Sequence, residues 1–270
     1  MPELPEMETY KILLNEKLIE KTITDIEINR EKSINISSLE FVQEVKGKQI
    51  IKIERRAKHL IFKLSSGKSL LLHLMLGGWM YIGSENDNPD RTKQVIISFG
   101  DMKLYFIGLR LGYLHLLDEH DLQQELSDLG PEPLDPTFTF NSFQNILQSK
   151  RGKLKITLIN QKIISGIGNF YSDEICFDAK LKPTVTVDSL DKDSLFSVYN
   201  SIRTVLQNAI SHGGYMENPL FLGDQHTGGH NNHVLVYDRE KEKCGRCGGT
   251  IVKIELNSRK CFYCPDCQRG

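Results

Sequence analysis

The chain has 270 residues, 39% of them hydrophobic, and a formal net charge of −1. That length buries a core and accommodates two domains, while no run of 18 apolar residues offers a membrane span. The charge balance argues neither for nor against a polyanionic partner, and the acidic, proline-containing N-terminus lacks the basic-then-apolar order of a secretory signal, so a soluble cytoplasmic protein is the expectation.

From Pro5 to about Ile19, Met7, Tyr10, Leu14 and Leu18 recur at helical spacing. Pro5 suits a first helical turn, and Glu3 and Glu6 complement the positive end of a helix. Short apolar runs follow, "TDIEI", "QIIKIER", "HLIFKL", "SLLLHLM", "QVIISF" and "KLYFIG", separated by turn signals such as "SSGK" and "FGDM". They predict an antiparallel β-sandwich over residues 20–117, behind one helix. "GPEPLD" (130–135) reads as a linker. Helical patterns then cover 141–149, 153–160, 168–178 and 193–212, the last with Leu195, Val198, Ile202, Val205 and Leu206 on one face and Gly213-Gly214 at its end. Residues 215–233 lack periodicity and read as a mobile loop. From Val234 the chain is a small ribbon built around cysteines.

The predicted organisation is therefore α+β, with a β-sandwich domain over 1–130, a helical domain over 131–233 and a metal ribbon over 234–270. Charge is segregated along it. Residues 150–162 carry five Lys/Arg and no acid, whereas 118–135 carry seven acids and no Lys/Arg. A near-neutral protein with such segregation can still present a basic groove to a phosphate backbone, although most charge runs are solvated faces.

Five of the six cysteines fall in the last 27 residues. Cys244-x-x-Cys247 and Cys264-x-x-Cys267, 16 residues apart, present four thiolates in the tetrahedral arrangement that Zn²⁺ takes in structural sites. One structural zinc ion is the expectation. With four protein ligands the metal has no open position, so it folds the ribbon and does no chemistry. Cys261 and Cys176 are expected to be packing residues.

With the ribbon in place, the chain resembles the formamidopyrimidine-DNA glycosylase / endonuclease VIII family of base-excision repair enzymes, as a divergent member of the formamidopyrimidine branch. The likeness runs through "PELPEMET" at the N-terminus, "RRAKHL" (Arg55 to Leu60), "GPEPL", "ISGIGNFYSDE" (Ile164 to Glu174) and "CGRCG…SRKCFYCPDCQ". It implies that the helical domain carries a helix-two-turn-helix motif and that the ribbon is a zinc-finger β-hairpin. It also implies a bifunctional DNA glycosylase/AP lyase acting on damaged duplex DNA, with no small-molecule cofactor. Nothing in the sequence signals an oligomer, and a monomer is expected.

The resemblance makes Pro2 the nucleophile once Met1 is removed. An α-amino group titrates near 8 where a lysine titrates near 10, so roughly a tenth is neutral at pH 7. That secondary amine attacks the sugar C1′, displaces the base and gives an iminium ion, which acidifies the C2′ proton for β- and then δ-elimination. Glu3 becomes the acid or base of ring opening, or simply a helix-start carboxylate. Lys58 resembles the family lysine at the lesion phosphate, Arg259 the zinc-finger arginine that grips it, and Asn169 the asparagine on flanking phosphates. Arg151 and Lys155 would line the same groove. His73 resembles a phosphate-contacting histidine, or is a half-buried strand histidine.

The residues that read the lesion depart from the family pattern. Leu76 stands where a methionine wedge is usual, Leu109 where an arginine reads the opposite base, and Leu111 where a phenylalanine stacks; Arg110 is retained. His230 replaces a phenylalanine ahead of "VLVY". Leucines fill space but donate no hydrogen bond to an orphan cytosine, so opposite-base discrimination should be weak. Two alternatives stay open: a divergent protein that binds damaged or abasic DNA with little excision, and a zinc-ribbon nucleic-acid-binding protein without covalent chemistry.

Overall fold

Helix α1 (Leu4–Leu18) begins at a capping box formed by Glu3 and Glu6 and buries Met7, Tyr10, Leu14 and Leu18, the stripe anticipated from the sequence, together with Leu4. The computed structural model describes all 270 residues. Two units emerge, one made of Met1–Asp128 with His212–Gly229 and the other of Leu129–Ser211 with His230–Gly270.

In the first unit, α1 is followed by β1 (Asp25–Ile28), α2 (Ser38–Val45), β2 (Ile50–Arg56), β3 (His59–Leu64) and β4 (Ser69–His73). Then come β5 (Trp79–Gly83), β6 (Lys93–Phe99), β7 (Met102–Ile107), β8 (Tyr113–Leu117) and α3 (Glu119–Leu126). The strands form two four-stranded antiparallel sheets, ordered β2-β3-β4-β8 and β1-β6-β7-β5. One core joins them: Ile53, Leu60, Phe62, Leu70 and Leu72 from the first sheet meet Met80, Val95, Ile97, Leu104 and Phe106 from the second, with the α1 stripe included. This is the expected sandwich. The strand-run reading passed over β5 and β8. β5 is buried on both sides in its middle, so it lacks the alternation that marks a half-exposed strand, and β8 follows a glycine-rich turn.

The second unit contains α4 (Phe140–Leu147), α5 (Leu154–Leu158), α6 (Asn169–Asp178), α7 (Lys192–Ser211), β9 (Val252–Leu256) and β10 (Arg259–Tyr263). Each helix overlaps its expected segment. α7 buries Ser194, Val198, Ser201, Ile202, Leu206 and Ala209, while Leu195 and Val205 from the anticipated face are only half-buried. β9 and β10 pair as an antiparallel hairpin.

Of the segment expected to be a mobile loop, residues 215–229 are tied down within the first unit, and 230–233 belong to the second. Leu220 lies in the sandwich core, Ile82 N donates to Leu220 O at 2.6 Å, and Ile82 bridges Phe221. Asp224 braces the turn by accepting from the backbone N–H groups of Leu220, His226 and Thr227 at 2.8 to 3.1 Å. No helix is long and apolar enough to cross a membrane.

Candidate active site and nucleic-acid-binding elements

Pro2 is buried immediately before α1. It lies on the wall of a cavity of about 280 Å³, with Leu76, Gly77, Gly78 and Trp79 on one side and Tyr215, Met216, Glu217 and Asn218 on the other. The backbone that brings Tyr215 here is held by Glu6, whose Oε1 accepts from Tyr215 N at 3.0 Å while its Oε2 accepts from Glu3 N at 2.8 Å. The Tyr215 hydroxyl also donates to the Met1 carbonyl. Glu3 is buried beside the proline. Sequence reasoning missed Trp79, Tyr215 and Met216. The one available signal was the chain's single tryptophan following a Gly-Gly pair.

Lys58 sits in the two-residue turn between β2 and β3, where Arg56 pairs with His59. It is 5% exposed, and its neighbour Ala57 is fully buried at φ +53°. A residue with a Cβ in the left-handed region costs about 1–2 kcal/mol, so the turn must be imposed by its surroundings. Beside it, His73 is half-buried on β4 and stacks on His59 at 4.3 Å between ring centroids. Burial first, then His59 and Lys58, depress its pKa to about 3, so the imidazole is neutral throughout the physiological range.

The two loops expected to probe the duplex lie backbone to backbone. A Cβ on Gly108, which has φ +72°, would come within 2.1 Å of Gly77 O, so only glycine permits the approach. From these loops Leu76 and Leu111 project with 66% and 64% exposure, and Arg110 is exposed. Leu109 does not join them. It is 0% exposed within the sandwich core, its N–H donates to Gln94 Oε1 at 3.0 Å, and its carbonyl accepts from Ser33 Oγ at 3.2 Å. The expected set of three leucine probes is therefore corrected to two: Leu109 packs into the core, while Arg110 and Leu111 after it are exposed.

In the second unit, the turn between α5 and α6 is built around Gln161. Its Nε2 donates to Ile159 O and Ile167 O at 2.9 and 2.7 Å, and its Oε1 accepts from Gly166 N at 2.9 Å. Gly166 has φ +91°. Asn169 opens α6, with Nδ2 donating to Tyr237 Oη at 3.3 Å and Oδ1 buried without a protein partner. Backbone N–H groups at a helix start suit a phosphate. Arg151 is exposed, 4.0 Å from Asp188. His230 is buried, with ring centroids 5.9 Å from Tyr171 and 6.3 Å from Phe170.

Lys155 overturns its expectation. Rather than lining a groove, it is 0% exposed, and its Nζ donates to Asp173 Oδ1 at 2.6 Å, Lys260 O at 2.9 Å and Asn169 O at 3.2 Å. Asp173 Oδ2 accepts from Phe262 N at 2.9 Å, and burial pushes its pKa up to about 6 against the pull of Lys155. Glu174 accepts from the N–H groups of Leu235, Val236 and Tyr237 at 2.8 to 2.9 Å. Lys155, Asp173 and Glu174 thus fasten the ribbon to α5 and α6.

At the tip of the β9–β10 hairpin, Asn257 and Ser258 have φ +50° and +60°, as a two-residue type I′ turn requires, and Arg259 follows exposed to solvent. The Sγ atoms of Cys244, Cys247, Cys264 and Cys267 all lie within 4.8 Å of one another, with Cys244–Cys267 at 3.8 Å and Cys247–Cys264 at 3.5 Å. Tetrahedral Zn–S bonds of about 2.3 Å place sulfurs about 3.8 Å apart, so the four residues fit one zinc ion. Cys176 and Cys261 are buried outside that cluster.

Three family models cover this architecture in order: the formamidopyrimidine-DNA glycosylase N-terminal domain over 1–113, its H2TH domain over 129–218, and the zinc finger found in FPG and IleRS over 241–270. The chain belongs to the formamidopyrimidine-DNA glycosylase family. The formamidopyrimidine-DNA glycosylase of Carboxydothermus hydrogenoformans is 33% identical over 270 residues, spanning all of both chains. That of Listeria monocytogenes is 31% identical over 274 residues, again with full coverage of both. Among solved structures, a Lactococcus lactis Fpg complexed with DNA containing an abasic site superposes with a TM-score of 0.92 at 30% identity, over 98% of this chain and 99% of that one. The wild-type Lactococcus lactis Fpg complexed with N7-benzyl-Fapy-dG DNA matches equally, at TM-score 0.92 and 30% identity over 99% of each chain. Membership makes the zinc finger a family feature, consistent with the sulfur geometry, and the chain carries one structural zinc ion.

Proposed function

We propose that this protein is a bifunctional DNA glycosylase/AP lyase of base-excision repair, acting as a cytoplasmic monomer on oxidised or ring-opened bases in duplex DNA, with Pro2 as nucleophile. The observation that carries the reading is the seat of Pro2, on the wall of a base-sized cavity and next to the buried Glu3.

Removal of Met1 frees the Pro2 nitrogen and opens the cavity further. The neutral amine attacks C1′ of the damaged nucleotide, and the C1′–N-glycosidic bond breaks as the base leaves with a proton. Glu3 supplies the proton that opens the sugar ring. The resulting iminium acidifies C2′–H, whose removal expels the 3′-phosphate in β-elimination; a second elimination releases the 5′-phosphate. Lys58 serves at the lesion phosphate, and Arg259 and Asn169 bind backbone phosphates, with Arg151 and His73 as further contacts. The neutral His73 ring donates a hydrogen bond rather than a charge. Leu76 and Leu111 fill the space an extruded base leaves, and Arg110 lies beside them. The two wedges make no hydrogen bond to the opposite base, which favours tolerance of any base there.

Borohydride trapping with duplexes carrying an abasic site, a formamidopyrimidine, 8-oxoguanine or an oxidised pyrimidine, each opposite all four bases, tests this directly. A covalent adduct is expected, lost in Pro2→Gly while DNA binding persists. Tight binding to an abasic duplex without an adduct, from a chain whose proline is free by mass spectrometry, would establish a damage-binding protein instead.

A further inference from the structure

The Lys58 turn is braced from two sides by residues to which no role has been given so far. On one side, Arg55 Nε donates to Glu8 Oε2 of α1 at 2.7 Å, and its Nη1 donates to the carbonyl of Ala57 at 3.0 Å. Both side chains of this pair are largely shielded, at 10% and 17% exposure. Burial alone would raise the Glu8 pKa, but Lys11 and Arg55 outweigh it and hold the carboxyl below its ordinary value. On the other side, His59 Nδ1 lies 3.3 Å from Arg56 O, and its Nε2 lies 3.2 Å from the Tyr113 hydroxyl. A carbonyl can only accept, so Nδ1 carries a proton toward Arg56 O, and Nε2 pairs with the Tyr113 hydroxyl. His59, His73 and Tyr113 are register neighbours across β3, β4 and β8, and the row ends at the turn.

We propose that Glu8, Arg55, His59 and Tyr113 are positioning residues that hold the Lys58 turn in a fixed relation to the helix carrying Pro2. The proposal rests on the role given to Lys58 above. Glu8 stands on the helix that Glu3 caps and Pro2 precedes, so the Glu8–Arg55–Ala57 chain links the nucleophile's helix to the lysine's turn. A second tie keeps that helix from sliding: Asn15 Nδ2 donates to Ile53 O at 2.9 Å, and its Oδ1 accepts from Ile53 N at 3.2 Å. The strained φ of Ala57 is the conformation this bracing enforces.

A double-mutant cycle on the full-length, zinc-loaded enzyme reads the effect. Arg55→Lys keeps the charge beside Glu8, but one ammonium group cannot replace a guanidinium fork that reaches both the carboxylate and the Ala57 carbonyl. Single-turnover cleavage of a preformed abasic site is expected to fall roughly 10- to 100-fold, as for a small misplacement of a catalytic group, with affinity for the same duplex unchanged. In a Lys58→Ala background the same substitution should cost nothing more. Tyr113→Phe, which removes one hydroxyl and spares the fold, should give a smaller loss that also vanishes in that background. Additive losses, or full activity in Arg55→Lys, would overturn the proposal. Normal cleavage by Lys58→Ala itself would overturn it together with the lysine's role, while the Pro2 adduct would still report on the nucleophile.

Discussion

Leu109 and Leu111 are two residues apart and both were expected to probe the duplex, yet one is wholly buried and the other 64% exposed. Leu109→Ala should cost about 2–5 kcal/mol in denaturation experiments, as core truncations do, whereas Leu111→Ala should shift stability by only about 0.5 kcal/mol or less. Leu109→Arg, an attractive way to regain an opposite-base contact, should instead leave an unpaired charge in the sandwich core and unfold the unit. Urea titration of the three variants decides it, and a stable Leu109→Arg would show that the loop can turn this side chain out. Lys155 teaches the same lesson. Its place in an acid-free run suggested a groove-lining cation, but Asp173, 18 residues on, and Lys260, 105 residues on, hold it inside. A local charge pattern carries no information about such distant partners.

Among the elements, legibility followed how local the determining physics is. The α1 stripe, the four-helix order and the Cys-x-x-Cys pair depend on spacings within a few turns, and each took its expected place. The cavity wall formed by Trp79 and Tyr215 depends on bringing together two stretches about half the chain apart, which no periodicity records. The β9–β10 hairpin is the element most dependent on something outside its own sequence. Two strands are marginal alone, and here they are completed by four thiolates around one zinc and by the hooks of Asp173 and Glu174. Chelation of zinc, or Cys264→Ser, is expected to disorder the hairpin, displace Arg259 and weaken DNA binding. A chelated protein with unaltered circular dichroism and unaltered affinity would remove the metal from that role.

For the molecule as a whole, a formal charge of −1 meets a polyanionic substrate, so affinity must come from where the cations stand rather than from their sum. The logarithm of the binding constant should therefore fall linearly with the logarithm of salt concentration, by about 0.9 per phosphate engaged. Arg259→Ala should make that slope shallower by about one, and an unchanged slope would mean that the hairpin tip touches no phosphate. The first unit has one more property that follows from its make-up. It closes only when residues 212–229 return to it, bringing Leu220 into the core and Tyr215 to Glu6, 209 positions away. Translation supplies Pro2 long before the stretch from Tyr215 to Asn218 that lines the same cavity. A nascent chain halted before that return has Pro2 but no finished pocket around it, so an interrupted translation product is denied the site that could form adducts with damaged DNA.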